Sequence, residues 1–249
     1  MKMFSEILKD TSKNGQSRPW KQKKLANLTY ANYLEVLNFK KAHNVSTCGN
    51  ILQFVKTEDG LKLYQTWFCH SRLCPLCSWR RSIKNSYEMR VILSEAYKKQ
   101  PHAEFLFLTL TEESSELGQL RKNLTEMNSS IRRLFQYKEV KRDILGYIRS
   151  TEITVNRQKM TFHQHVHILL MVKSTYFKLG HYLTQKRWSE LWERARKLDY
   201  LPVVNIKKIR KSYKDSSLVA SAKEVAKYQV KDFDYLSDEE KSSLFSITF

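Results

Sequence analysis

Apolar residues recur along this chain with two different periods, and the alternation of these periods predicts an α+β fold. From residue 104 onward, segments with the period of strands alternate with segments that have the 3.6-residue period of helices. The element order is β-α-β-β-α-β-α. The predicted strands are 104–111, 144–155, 160–172 and 201–209, and the predicted helices are 113–140, 181–198 and 217–231.

Without its last helix, this order is that of the ferredoxin-like split βαβ unit. Such a fold, which is also RRM-like, has an antiparallel sheet with helices on one face, and its other face can be exposed as a working surface. The preceding residues predict helices over 25–44 and 78–99. We expect four regions: a basic arm and helix in 1–44, a cysteine-rich element with a basic helix in 45–100, the core in 101–236 and a tail in 237–249.

The charge of the chain indicates a partner. Its 249 residues include 44 Lys and Arg against 25 Asp and Glu, a net charge of +19. An excess of that size predicts a polyanionic partner such as DNA. Residues 1–100 hold 18 basic and 7 acidic side chains, so most of the excess lies in the N-terminal part.

The composition excludes several classes of protein. A hydrophobic share of 41% is enough for a packed core and excludes wholesale disorder. No apolar run approaches the roughly 18 residues of a membrane span, and the N-terminus has charged residues where a signal peptide is apolar. With only six Gly, the chain has no glycine-rich phosphate loop. We expect a cytoplasmic protein that does not contact membranes.

All four cysteines lie in one short stretch, with the spacing C-x20-C-x4-C-x2-C. Because a C-x2-C turn presents two thiolates to one tetrahedral ion, Cys48, Cys69, Cys74 and Cys77 predict a structural Zn²⁺ site. His70 or His43 could replace one of the cysteines as a ligand, and free buried thiols are the alternative interpretation. The helix that follows begins with the basic residues Arg80, Arg81 and Lys84, which predict either a DNA-contacting face or a solvated helix face.

Three of the seven histidines alternate within the strand 160–172. Because side chains alternate along a strand, His163, His165 and His167 share one face of the sheet. Glu152 lies on the preceding strand, and a turn near residues 156–159 would pair it with these histidines. Two imidazoles and one carboxylate predict a divalent metal site with open positions. His163 is either a third ligand or a phosphate contact.

These motifs together resemble those of the HUH endonucleases, and most closely the single-tyrosine replication initiators of small rolling-circle plasmids. The resemblance rests on the strand FLFLTLT, the His-Val-His string at 165–167 with Glu152 upstream, and the segment KEVAKYQVKDFDY downstream. The strand, histidine and tyrosine motifs follow one another in that order along the chain. It implies nicking of plasmid origin DNA with Mn²⁺ or Mg²⁺, a 5′-phosphotyrosine intermediate and a free 3′-OH that primes replication. A host helicase and a second copy of the chain are further candidate partners.

The nucleophile expected from this resemblance is Tyr228, which lies in a segment of good helix formers. Residues three or four apart share a helix face, so Glu224 and Lys231 are its neighbours, with Lys227 adjacent in sequence. A phenol has a reference pKa near 10 and needs a cation or base to react at neutral pH. We expect the lysines to stabilise charge and Glu224 to act as general base for a later hydrolytic step.

Two other tyrosines compete with Tyr228. Tyr235 follows an acidic segment that is unsuited to a phosphate, and Tyr213 lies at a basic strand end that is better suited to holding the DNA backbone. The basic side chains that we expect to contact DNA at that strand end are Lys207, Lys208, Arg210 and Lys211.

Two alternatives to a nickase fit part of the pattern. A histidine-triad nucleotide hydrolase has a similar H-x-H-x-H string, but Gln164 stands where that family has an apolar residue. That alternative also explains neither the four cysteines nor the net charge of +19. A non-enzymatic zinc-dependent DNA-binding regulator would use the cysteines and basic helix, with the histidines only packing.

Overall fold

A computed structural model describes residues 18–58, 60–156 and 158–209, in which the chain divides into two compact units. The division falls between Arg81 and Ser82, inside a helix rather than in a linker. The predicted helix 217–231 and the expected terminal segments 1–17 and 237–249 lie outside the described residues.

The first unit is built around the cysteines. Its elements are α1 (Trp20–Val36), α2 (Ala42–Ser46), the strands β1 (Leu52–Thr57) and β2 (Gly60–Thr66), and the start of α3 (Pro75–Lys99). Tyr30, Leu34 and Val45 pack with the cysteine side chains into one buried cluster. Because so small a unit has little apolar core of its own, the cysteine side chains form a large part of its interior.

Strands β1 and β2 form an antiparallel hairpin that we did not predict from the sequence. Thr57 pairs with Gly60, so the connection has two residues. A sequence signal was present, because the polar string Glu-Asp-Gly between two segments of mixed apolar and polar residues is typical of a turn. The hairpin also has a register shift between Gln53 and Phe54.

The second unit contains the main sheet and its helices. Its elements are β3 (Glu104–Thr111), β4 (Ser115–Glu116), α4 (Leu117–Leu134), α5 (Lys138–Lys141), β5 (Ile144–Asn156), β6 (Thr161–Val172), a short 3-10 helix (Ser174–Phe177), α6 (Gln185–Arg196) and β7 (Val204–Lys208). The predicted strand order along the chain is confirmed, and β3 has the predicted bounds. The predicted helix 113–140 is instead divided into β4, α4 and α5.

The main sheet is antiparallel, with the spatial order β5-β6-β3-β7. Strand β6 pairs with β5 along one side and with β3, then the short β4, along the other. This is the strand order of a ferredoxin-like unit, so the predicted α+β class is confirmed. Register is well specified, because a slip by one residue would move every apolar side chain to the wrong face.

One face of the sheet is covered by α4 and α6. Alternate residues of β3 and β6, such as Leu108 and Ile168, pack against Ile131 of α4 and the fully buried Trp188 and Trp192 of α6. The capping of α6 is well defined, because the Thr184 side chain accepts a hydrogen bond from the Arg187 backbone N–H.

The opposite face is partly covered by α3, which departs from the expectation of helices on one face only. Met89, Leu93 and Ala96 recur at i, i+4 and i+7 and pack against Phe105 and Leu169. Among the described ranges, no helix has the length and hydropathy that crossing a membrane requires.

Candidate active site and cysteine cluster

The β5–β6 hairpin brings a carboxylate opposite the alternating histidines. Glu152 of β5 is the direct cross-strand partner of His165 of β6, as the turn near residues 156–159 predicts. His163, His165 and His167 follow one another along the same face, with ring centroids 5.1 and 5.2 Å apart. The hairpin therefore aligns one acidic and three imidazole side chains.

Glu152 bridges two of these histidines. Its Oε2 lies 2.9 Å from Nε2 of His165 and 2.9 Å from Nε2 of His167. The Nδ1 atom of His167 lies 3.2 Å from the hydroxyl of Thr109 on β3. This contact leaves Nε2 as the ring atom that faces Glu152, because the two nitrogens of an imidazole point in different directions.

The surroundings of His163 and His165 favour the neutral form of these two imidazoles. Burial lowers the pKa of His165, and the neighbouring His167 lowers it further. Burial and His165 likewise lower the pKa of His163. The ring of Phe107 stacks on His167 at 5.7 Å between centroids. A neutral imidazole has a free lone pair and is the form that binds metal ions.

The three side chains fit the requirements of a divalent cation. Their donor atoms, one each from Glu152, His165 and His167, all lie within 4.8 Å of one another. Two imidazole nitrogens and one carboxylate oxygen suit Mn²⁺, Fe²⁺, Zn²⁺ and related ions, and three protein ligands leave positions open for a substrate. Thr109 supplies the outer hydrogen bond that orients a histidine ligand.

His163 is not part of that converging group. Its Nδ1 lies 3.3 Å from Nδ1 of His165, so it contacts the back of a candidate ligand. It also lines an open depression on the surface together with Ser114, Thr154, Asn156 and Gln158. This position is adjacent to the metal-ligand candidates and accessible from outside.

A buried polar network lies on the face of the sheet that α4 and α6 cover, opposite to the face that carries the histidines. The Gln164 Nε2 donates to Glu112 Oε1 and to Ser115 Oγ, each at 2.6 Å. Arg196 of α6 donates to Glu112 Oε2 at 2.5 Å and to Glu126 Oε2 at 2.9 Å. The Gln between two histidines is the sequence signal for this network, but the network itself joins residues 52 and 84 positions apart and is not predictable from that signal.

The four cysteine sulfurs also converge, all within 4.8 Å of one another. Cys77 Sγ lies 3.5 Å from Cys48 Sγ and 3.7 Å from Cys69 Sγ. Four sulfurs around Zn²⁺ at about 2.3 Å would be separated by roughly 3.8 Å, so these separations fit a tetrahedral site. The cluster consists of cysteines alone, without His43 or His70.

Backbone and side-chain groups support the cysteine cluster. The backbone N–H groups of Cys69 and Cys77 donate to Cys48 Sγ and Cys74 Sγ, each at 3.4 Å. Hydrogen bonds from Cys48 and Cys74 lower the pKa of Cys77 to about 4. The cluster therefore already favours a thiolate at Cys77, which is the form that binds metal.

Two residues of the first unit, Lys24 and Gly49, determine the backbone conformation around Cys48. Lys24 of α1 donates from Nζ to the backbone oxygens of Ser46 at 2.8 Å and Cys48 at 2.7 Å. Gly49 has a φ of +66°, and an added Cβ would lie 2.8 Å from Leu76. A side chain at position 49 would therefore be strained twice, once by the backbone angle and once by the contact.

The basic residues predicted to contact DNA lie on α3 and β7. Arg80 stacks over Phe68 at 3.5 Å, and an Arg81 N–H donates to the His70 backbone oxygen at 3.1 Å. Lys84 pairs with Glu88 at 3.5 Å on the exposed face of α3. Lys207 and Lys208 are exposed at the end of β7. The other predicted site residues, Tyr228, Glu224, Lys227, Lys231, Arg210 and Lys211, and the rivals Tyr213 and Tyr235, lie outside the described residues.

An α+β fold whose antiparallel sheet carries a cluster of Glu and His-x-His, in a chain that also has a four-cysteine cluster, defines a class of protein with two candidate metal centres. Residues 60–247 match the family model described as "Replication protein". The chain belongs to this family of replication proteins. The resemblance to replication initiators is thereby confirmed. No solved structure gives a significant match to this chain.

Curated relatives agree with this family. A protein named "Protein rep" from Lentilactobacillus hilgardii is 51% identical over 246 residues, which cover 97% of this chain and 78% of that protein. A "Protein rep" from Lactiplantibacillus plantarum is 47% identical, over 98% of this chain and 78% of that protein. Another from Streptococcus pneumoniae serotype 2 is 40% identical, over 91% of this chain and 72% of that protein.

Proposed function

We propose that this protein starts rolling-circle replication of a plasmid by nicking one strand of the origin DNA. The observation that carries the proposal is the convergence of Glu152, His165 and His167 on one face of the sheet in a chain of the replication protein family. The net charge of +19 supports DNA as the substrate. The histidine-triad alternative gains no support from the family.

The nucleophile of the proposed reaction is Tyr228. Its phenolate oxygen attacks the phosphorus of the scissile phosphodiester, a Tyr–O–P bond forms, and the bond from phosphorus to the 3′ oxygen breaks. The leaving oxygen takes up a proton and becomes the 3′-OH that primes synthesis. The 5′ phosphate stays covalently attached to the protein, which preserves the energy of the bond for later rejoining.

Glu152, His165 and His167 are the proposed ligands of the catalytic Mn²⁺ or Mg²⁺. When bound, the ion would neutralise charge that develops on the scissile phosphate. Glu152 contributes the negative charge of the ligand set, and Thr109 holds the ring of His167 in its orientation. His163 lines the open depression beside these ligands, and its proposed role is a hydrogen bond to a DNA phosphate.

The groups around Tyr228 complete the proposed cycle. Lys227 and Lys231 stabilise the phenolate or the charge on phosphorus, because a nearby cation favours the charged form of a neighbour. Glu224 accepts a proton from the water that hydrolyses the phosphotyrosine at the end of a round. A single tyrosine would then be enough for initiation and termination.

The cysteine cluster has a structural role in this proposal. Four cysteine ligands would leave no open position for a substrate, so a bound Zn²⁺ would stabilise the first unit. Arg80, Arg81 and Lys84 on α3 and Lys207, Lys208, Arg210 and Lys211 near the end of β7 are the proposed contacts to the DNA backbone. A host helicase and a second copy of the chain are further partners that the proposal includes.

The decisive experiment uses end-labelled single-stranded origin DNA with the full-length protein and Mn²⁺ or Mg²⁺. The wild type should form a covalent 5′-linked adduct, and mass spectrometry should locate it on Tyr228. Tyr228→Phe should form no adduct, whereas the matched controls Tyr213→Phe and Tyr235→Phe should form as much as the wild type. An adduct that persists in Tyr228→Phe contradicts the assignment of the nucleophile.

A zinc-dependent DNA-binding regulator without enzymatic activity is the second candidate function, and the four-cysteine cluster is the observation that favours it. The same experiment distinguishes the two. A regulator would bind duplex origin DNA, would lose binding when zinc is removed, and would form no adduct with any divalent ion.

A further inference from the structure

The connection between β6 and α6 contains several aromatic and basic residues close together. Its sequence over residues 176–182 is Tyr-Phe-Lys-Leu-Gly-His-Tyr. Leu179 is fully exposed and Tyr182 is 55% exposed, so two large side chains are accessible on the surface of this connection. Gly180 has a φ of +77°, so a glycine suits the turn at the tip.

This loop is held in place by the buried carboxylate of Asp143. Asp143 Oδ1 accepts from the Thr175 hydroxyl at 2.8 Å, and Oδ2 lies 2.9 Å from Nδ1 of His181. Arg142 donates to the backbone oxygen of Gly180 at 3.1 Å. Both ends and the tip of the loop are thus tied to the chain before β5, which lowers the entropy lost when a ligand binds.

Two rings on this loop form a nearly parallel pair. The rings of Phe177 and Tyr182 have centroids 6.2 Å apart and planes inclined by 30°. Phe177 packs against the core below it, and Tyr176 meets Tyr182 edge to face at 5.8 Å. Buried Tyr176 is itself fixed by a hydrogen bond from the Trp188 indole. The exposed Tyr182 therefore rests on an immobile aromatic base.

The charges around these rings are mainly positive. Lys208 of β7 places its Nζ 4.2 Å from the Phe177 ring centroid, and Lys173 and Lys178 are exposed on the loop. Of the nearby carboxylates, Asp143 is buried beneath the loop, and Glu104 pairs with Lys208 at 3.5 Å. The loop thus carries two exposed cations, and a third lies beside the Phe177 ring with which Tyr182 is stacked.

We propose that this loop, which we call the aromatic loop (residues 173–184), binds single-stranded DNA by stacking a base on Tyr182 and pairing phosphates with Lys173, Lys178 and Lys208. Stacked aromatic side chains beside lysines are how proteins bind single strands without reading their sequence. A protein partner would match the exposed Leu179, but it would not use the lysines around the ring. The proposal rests on the proposed function only in taking DNA as the substrate.

The aromatic loop is separate from the Glu152 site. Lys208 pairs with Leu106, so it lies on the face of the sheet covered by α4 and α6, whereas the histidines lie on the other face. Val172, where the loop begins, is five residues beyond His167 on β6, or roughly 17 Å along the strand. We infer that the loop holds a stretch of strand away from the nick.

Fluorescence anisotropy with a labelled oligothymidylate tests this proposal, with the full-length protein and without divalent ions so that no strand is cut. Tyr182→Ala should raise the Kd roughly tenfold, since one stacked base is lost. The conservative variant Tyr182→Phe keeps the ring and should bind within about twofold of the wild type. Tyr64→Ala, which removes an exposed tyrosine of the first unit, is the control for a nonspecific loss of DNA affinity. Its Kd should stay close to that of the wild type.

An abasic oligonucleotide of the same length separates the contribution of base stacking to the affinity from that of the contacts between lysines and phosphates. It should bind the wild type and Tyr182→Ala equally, and Lys178→Ala should weaken both oligonucleotides and reduce the salt dependence. The proposal is overturned if Tyr182→Ala binds oligothymidylate as the wild type does, which would leave the loop to a protein partner. It is also overturned if Tyr182→Phe loses as much as Tyr182→Ala.

The outcome is independent of the nicking assay. A failure of adduct formation in the wild type would contradict the proposed function and leave the oligothymidylate result intact. Adduct formation by the wild type supports the proposed function, and weaker oligothymidylate binding by Tyr182→Ala supports the role of the aromatic loop.

Discussion

Gln164 and Glu112 are joined across the covered face of the sheet by a 2.6 Å hydrogen bond between Nε2 and Oε1. Gln164 lies between His163 and His165 in β6, so this bond anchors the strand segment that carries the histidines. Arg196 completes the anchor from α6 by pairing with the other oxygen of Glu112. The network on the face covered by α4 and α6 therefore holds in place the β6 backbone that carries the histidines on the opposite face.

Replacing Arg196 with Ala should destabilise the second unit strongly. The side chains of Arg196 and Glu112 are 9% and 4% exposed, so the substitution leaves a buried carboxylate unpaired. Breaking such a pair costs about 3–5 kcal/mol. In the same helix, Arg187 pairs with Glu139 at the surface, and Arg187→Ala should cost less than about 1 kcal/mol. Urea denaturation compares the two, and equal losses would contradict the burial argument.

Replacing Thr109 with Val should weaken metal binding without unfolding the protein. The substitution keeps the shape of the side chain but removes the hydroxyl beside His167 Nδ1. Losing an outer hydrogen bond of this kind typically reduces metal affinity by about 10–100-fold. Thr111→Val is the matched control on the same strand, because the Thr111 hydroxyl donates to the Val203 backbone oxygen instead. Titration with Mn²⁺ measures both, and equal affinities in the two variants would remove the role of Thr109.

Zinc removal should unfold the first unit and leave the main sheet folded. Cys48→Ser, or a strong chelator, removes a contribution that accounts for most of the folding free energy in small zinc domains. Hydrogen exchange should then become fast in α1 and α2 and stay slow in β3 and β6. His43→Ala and His70→Ala should keep one zinc per chain by elemental analysis, and loss of zinc from either would show that a histidine is a ligand.

The Asp143 carboxylate beneath the aromatic loop should make the free energy of unfolding decrease at acidic pH. Burial raises the pKa of Asp143, but hydrogen bonds from Thr175, Arg142 and His181 outweigh it and hold the pKa below its ordinary value of 3.8. Since the folded pKa is the lower one, the stabilisation is present above about pH 4 and is lost as the pH falls through the folded value.

Asp143→Asn should therefore unfold more easily near neutral pH and lose less stability than the wild type as the pH falls below about 4. Glu95→Gln is the control, because Glu95 has a lowered pKa through Lys98 but is exposed at the surface. Denaturation at a series of pH values measures the slope. A slope in Asp143→Asn equal to that of the wild type would contradict the role of this carboxylate.

Local patterns of the sequence were enough to place most of the sheet. The continuous apolar run of β3 and the alternating histidines of β6 carry their own period, so each strand can be located without knowledge of its neighbours. The position of Glu152 follows from the short turn between β5 and β6, because a hairpin determines its own register. These parts of the fold and site depend on residues close together in the chain.

The parts that were missed depend on distant residues or on competing signals. Thr109 and His167 are 58 residues apart, and their contact requires the pairing of β3 with β6. The stripe of Met89 and Leu93 on α3 was read with the cysteine element, although it covers the sheet. The β1–β2 hairpin was missed because the cysteine spacing dominated the interpretation of that segment. Tertiary pairing, rather than local propensity, decides such features.

Strand β6 has hydrogen-bonded neighbours on both sides along most of its length. Such a strand is among the last parts of a protein to open, so the candidate ligands His165 and His167 keep their spacing whether or not an ion is present. Loading of this site would then need no refolding, whereas we expect zinc binding at the cysteine cluster to be coupled to folding of the first unit. The supply of divalent cations in the host at the moment of initiation would decide which ion occupies it.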